Sequence, residues 1–192
     1  MICASCCGSK RQVDIACPPD CTYLEGAHGA AWSGRETERR RDLRRVAGFA
    51  QGLPPGQAEL FFFVLVKLQE LRARHGDLHD QLLGSAVGAL RKTVETRVRG
   101  VLYEHHPEDA RAEGILVDLR KLLESPDKPR RDAPPADSEL LPVLAALEQS
   151  IAAAVREAQG STTFLDSATR LVARLGQPIA APERSPSLIV EP

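Results

Sequence analysis

Aromatic residues are scarce in this chain of 192 residues: they make up 4% of it, with one tryptophan, two tyrosines and five phenylalanines. A sheet-built core leans on aromatic and β-branched side chains, so their shortage argues against a β-sandwich or barrel. Charge of one sign is lacking as well. The formal net charge is −1, which supplies no overall pull toward nucleic acid or an anionic membrane surface. No apolar run approaches the roughly 20 residues of a membrane span, and no basic stretch followed by an apolar segment opens the chain as a secretory signal would. The cytoplasm is therefore the expected compartment, with no membrane partner. There is no phosphate-cradling glycine loop, no G-x-S-x-G elbow, no H-E-x-x-H and no dinucleotide fingerprint. An enzyme is the less favoured reading, although nothing in the sequence decides the point.

What the chain does have is front-loaded. All five cysteines fall in the first 21 residues: Cys3, Cys6, Cys7, Cys17 and Cys21. Cys3-Ala-Ser-Cys6 is a C-x2-C pair, and Cys17-Pro-Pro-Asp-Cys21 is a C-x3-C pair. Two close pairs joined by a turn can supply the four corners of a tetrahedral zinc site. Gly8-Ser9-Lys10 suits that turn, and Val13 and Ile15 alternate with polar neighbours as a short strand would. Lys10 and Arg11 would offset the negative charge of a tetrathiolate zinc. Pro18 and Pro19 keep a helix from running through the second pair. The expected ligands are Cys3, Cys6, Cys17 and Cys21, with Cys7 and His28 as alternates. Zinc is the first cofactor reading. An iron–sulfur cluster is the second, because four cysteines serve it equally well. Disulfides or plain reduced thiols are a third.

The paired cysteines resemble the knuckles of zinc ribbons. The stretch Cys17-Pro18-Pro19-Asp20-Cys21-Thr22-Tyr23-Leu24 also resembles the Cys-Pro-x-Asp-Cys-x-Tyr-Leu opening of a group of uncharacterised bacterial proteins. The likeness covers only the N-terminal part of the chain. It implies a metal site and no particular activity. Arginine outnumbers lysine 20 to 5, which points in the same direction, to a GC-rich bacterial genome.

The remainder reads as helices. Tyr23 to Trp32 is expected to be an irregular connection, with Trp32, Tyr23 and Leu24 packing the clasp against the helices. Ser33-Gly34-Arg35-Glu36 has the form of a capping box that opens a helix, and Leu43, Val46, Ala47 and Ala50 recur on one face of it. Six arginines and three acidic residues between Arg35 and Arg45 give that segment a local charge of +3. Such a helix beside a zinc knuckle suggests nucleic-acid contacts through Arg39, Arg40, Arg41, Arg44 and Arg45. A solvated face held by i,i+4 pairs such as Glu36 with Arg40 is the favoured alternative.

Beyond the break at Gly52-Leu53-Pro54-Pro55-Gly56, the run from Leu60 to Leu71 is apolar on nearly every side and is expected to be the central buried helix. His75-Gly76-Asp77 ends it and caps the next. Leu78, Leu82, Ala86, Leu90, Val94, Val98 and Val101 then mark a long helix reaching about Tyr103. The adjacent His105 and His106 are read as its C-terminus, where histidine suits the helix dipole. A metal site there is the weaker reading, since neighbouring positions face different sides of a helix. Pro107 would open the following helix, carried by Ile115, Leu116, Leu119, Leu122 and Leu123. A fifth helix holds Leu140, Leu144, Leu147, Ile151, Ala154, Val155 and Ala158, and a sixth Leu165, Ala168, Val172 and Leu175.

The resulting expectation is an all-α bundle of five to six helices with a small N-terminal zinc-knuckle cap. Its segments are a cysteine-rich cap at 1–32, a bundle at 33–125, a proline- and charge-rich linker at 126–137, a helical hairpin at 138–176 and a disordered tail at 177–192. In that tail, Leu188-Ile189-Val190 could dock as a short peptide. The function expected is a zinc-binding, non-catalytic interaction or regulatory module that engages a protein partner or a second copy of itself. The alternatives are a nucleic-acid-binding protein and a redox or iron–sulfur protein.

Overall fold

A computed structural model describes residues 22–124, 133–157 and 160–175, with side chains from residue 33 onward. The expected ligands Cys3, Cys6, Cys7, Cys17 and Cys21, most of the 126–137 linker and the tail with Leu188-Ile189-Val190 lie outside the described residues. The chain divides into two compact units, Met1–Arg41 and Asp42–Pro192.

Among the described residues the structure is entirely helical. Six α-helices occur there: α1 (Thr22–Ala47), α2 (Pro55–Arg74), α3 (Asp80–Val98), α4 (Ala110–Glu124), α5 (Asp137–Glu157) and α6 (Thr163–Leu175), with a short 3-10 turn at Gly48–Ala50. The helical bundle read from the apolar stripes is thus present.

In the first unit the backbone from Thr22 is already helical, so Tyr23 to Trp32 is not an irregular connection. Ser33-Gly34-Arg35-Glu36 lies inside α1 rather than at its start. The Ser33 carbonyl accepts a bond from Thr37 Oγ1 at 2.8 Å, one turn on, and Glu36 pairs with Arg40 at 3.0 Å. These are interior contacts between residues four apart.

The second unit is built on one buried core running from Val46 to Leu171. α3 and α5 make its most extensive packing, with α2 laid against α5, α4 against α3, and α6 across α2, α3 and α5. The central place expected for α2 therefore belongs to the α3–α5 pair. Small residues explain why these two helices come close. A Cβ on Gly84 would sit 3.2 Å from Ile151 Cγ2, and one on Gly88 would sit 2.9 Å from Glu148 Oε1. Leu82, Leu83, Ala86, Val87 and Leu90 on α3 meet Leu140, Val143, Leu144, Leu147 and Ile151 of α5 in the same core. Each fully buried side chain of this size contributes about 1.5–3 kcal/mol relative to exposure. By length and composition α5 is long and apolar enough to cross a membrane, yet eight of its residues are buried within the bundle.

The stripe expected to run to Tyr103 stops earlier. Gly100 adopts φ +81, the left-handed conformation that ends helices, and Val98 and Val101 are exposed. The chain then turns back along α3. Val101 N–H donates to the Thr96 carbonyl, the Thr96 hydroxyl reaches the Tyr103 carbonyl at 3.1 Å, and His105 N–H donates to Thr93 Oγ1 at 2.8 Å. His105 and His106 consequently lie outside any helix. Asp109, rather than Pro107, caps α4: its Oδ1 accepts from Arg111 N–H at 2.8 Å. α3 opens at His79, not at Asp77, with the His79 Nδ1 accepting from Leu82 N–H.

Candidate functional site

The residues singled out from sequence fare differently. His28 falls within α1. Arg39 and Arg40 are exposed, with side-chain accessibilities of 66% and 75%, and both approach Glu36. Arg41 and Arg44 are exposed too. Arg45 is not available at the surface. Its side chain is 8% exposed, and its guanidinium is taken up by Glu157 Oε2, at 2.7 and 3.0 Å, and by Ser167 Oγ at 3.2 Å. No group of three or more histidine, cysteine or carboxylate side chains that could hold a metal occurs among the described residues.

Beside Arg45 lies a polar seam that no local pattern announces. Asp42 is fully buried. Its carboxylate accepts from Arg170 Nε at 2.9 Å, Arg170 Nη2 at 2.7 Å and Arg174 Nη1 at 3.3 Å. Burial alone would push this carboxyl up. The hydrogen bonds from Arg170 and Ser167 and the charges of Arg170 and Arg174 outweigh it, holding Asp42 below the usual carboxylate range. With its charge so fully matched, the seam fastens the end of α1 to α6.

A second buried carboxylate joins two helix starts. Asp80 is 1% exposed and accepts from Phe164 N–H at 2.7 Å and Leu165 N–H at 3.1 Å, the first turn of α6. Its own N–H donates to the Ser161 carbonyl at 2.8 Å. Burial raises its pKa, and the nearby Asp166 charge adds to this, against the lowering effect of the two amides and Arg72.

A concavity of about 460 Å³ lies where α3, α4 and the start of α5 meet, lined by Leu90, Leu123 and Leu140 together with Arg97, Arg120 and Asp137. Arg97 Nη2 donates to Asp137 Oδ1 at 2.7 Å, and Arg120 Nη1 donates to Glu104 Oε1 at 3.0 Å. Arg97 Nε, by contrast, is buried and has no hydrogen-bond partner among the described residues. No protein family, curated protein or solved structure matches the chain. Neither Arg97 nor Arg120 stands out in the sequence. Each sits on an ordinary helix, and only the tertiary packing brings both to a concavity lined by three buried leucines.

Proposed function

We propose that the chain is a non-catalytic interaction or regulatory module in which a thiolate-bound zinc, held by Cys3, Cys6, Cys17 and Cys21 with Cys7 or His28 as alternate, rigidifies a small surface ahead of a helical bundle. The observation carrying this reading is the spacing of the two cysteine pairs. A bundle of this size has its own core and needs no metal to fold. Zinc would then serve the surface rather than the stability of residues 42–175.

Elemental analysis of freshly purified protein tests the reading, combined with serine substitution of each cysteine. One zinc per chain, lost on changing any of the four ligands while the bundle keeps its helicity, is the expected outcome. Iron with visible absorbance, or no metal at all, overturns it.

A second reading, nucleic-acid binding, draws on Arg39, Arg40, Arg41 and Arg44. No apolar residue occurs between Ser33 and Arg41, so this stretch offers no apolar side chain to bury and presents charge to solvent. Binding to duplex or single strands that weakens steeply with salt, and again when these four become alanine, would select this reading. Arg45→Ala would instead cost stability.

A further inference from the structure

We propose that the C-terminal end of α3 is a self-association surface, on which the apolar tip Val98–Tyr103 of one copy seats in the groove between α3, α4 and the start of α5 of a second copy, and the reverse. The tip is the first observation. Val98, Val101, Leu102 and Tyr103 are 48%, 53%, 92% and 59% exposed, whereas elsewhere among the described residues large apolar side chains this exposed stand singly along the chain. Exposed apolar side chains gathered in one place mark interaction sites. The tip is also held in shape. Val101 N–H donates to the Thr96 carbonyl at 2.9 Å, the Thr96 hydroxyl donates to the Tyr103 carbonyl at 3.1 Å, and His105 N–H donates to Thr93 Oγ1 at 2.8 Å. An apolar tip fixed in this way loses little conformational freedom on docking.

The groove beside the tip selects the occupant. Arg97 immediately precedes the tip, Arg120 bonds Glu104 immediately after it, and both arginines line the groove. Leu90, Leu123 and Leu140 line it too, with the rings of Pro134 and Pro135. A projecting knob and an apolar-lined groove thus lie at one end of one chain. A two-fold axis there seats each Leu102 in the other copy's groove, so a single contact uses both features twice. A different protein would have to bring both a matching knob and a matching groove. Charge does not oppose the pairing. Arg97 is matched by Asp137 and Arg120 by Glu104 within each copy, and the tip's Arg99, 71% exposed, has an opposite charge to meet in Glu124 of the groove. The surface lies within Asp42–Pro192 and needs no metal at the cysteines. Its area is small, so the dimer is weak, with a Kd on the order of 10–100 µM.

Sedimentation equilibrium of the full chain, from about 5 to 500 µM, tests the pairing. A reversible dimer is expected. Leu102→Asp alters a side chain that its own copy barely touches, and should raise the dimer Kd at least about tenfold with unchanged helicity. Val155→Asp changes another exposed apolar residue, 41% exposed and near the end of α5 remote from the groove, and should leave the dimer unaltered. In a mixture of isotope-labelled and unlabelled chains, filtered NOE spectra should connect the Leu102 methyls of one copy to Leu123 or Pro134 of the other. A monomer at every concentration, even one whose tip takes up a different protein, would overturn the assignment. So would a dimer that Leu102→Asp leaves intact, or cross-copy contacts confined to other surfaces.

Discussion

Replacing Asp42 by asparagine removes one buried charge and leaves its shape. In the native seam that carboxylate accepts from Arg170, through two bonds, from Arg174 and from Ser167. Hydrogen bonds to charged groups contribute about 1.5–3 kcal/mol each, and breaking a wholly buried pair costs about 3–5 kcal/mol. Here the arginine side chains keep 40% and 31% of their accessibility, so water recovers part of the loss. A net destabilisation of about 2–3 kcal/mol is expected at neutral pH. For a chain of this size that corresponds to a fall in Tm of about 5–10 °C.

Urea unfolding followed by circular dichroism measures the effect, and its pH dependence tests the cause. The folded Asp42 carboxyl titrates below its ordinary value. Its contribution is therefore complete above the unfolded pKa of about 3.9 and is lost as pH falls through the depressed folded value. Wild type and Asp42→Asn should differ most at neutral pH and converge toward acid. A difference under about 0.5 kcal/mol at neutral pH, or one that stays constant on acidification, would refute the account of the seam.

Four further outcomes follow from the packing. Gly84→Leu forces a side chain against Ile151 and should cost about 1–3 kcal/mol by thermal melt; Gly88→Ala should cost less, because the Glu148 carboxylate it meets is the end of a flexible chain. Asp80 titrates above its ordinary value, so its contribution is greatest below about pH 3.9 and declines as pH rises through the raised folded value. Wild type should lose stability relative to Asp80→Asn over that interval in urea titrations at stepped pH. Thr93→Val removes the acceptor for His105 N–H and should cost about 1–2 kcal/mol while speeding hydrogen exchange at His105.

Local periodicity carries much of this fold. In α4 the positions that recur at helical spacing, Ile115, Leu116, Leu119, Leu122 and Leu123, are all buried. The stripe in α5 is equally plain, although Pro142 sits inside that helix. Boundaries are harder to read. Ser33 to Glu36 has the letters of a capping box, but Ser33 and Glu36 make interior i,i+4 contacts instead, and only their surroundings distinguish the two. Val98 and Val101 extend the α3 stripe in register, whereas Gly100 between them carries the stop signal. The site residues are the least legible. Asp42 and Arg170 are 128 positions apart, Arg45 and Glu157 are 112 apart, and no short window contains either pair. In sequence Arg45 looks like its exposed neighbours Arg41 and Arg44, because burial of a guanidinium is decided by what folds over it.

Asp80 also bears on what completes α6. α6 has 13 residues, about the length at which an isolated helix is marginal in water, and its first amides are held by a carboxylate 84 and 85 positions earlier. Without α3 that first turn loses the acceptor for two of its amides, so a contact far away in sequence completes the helix.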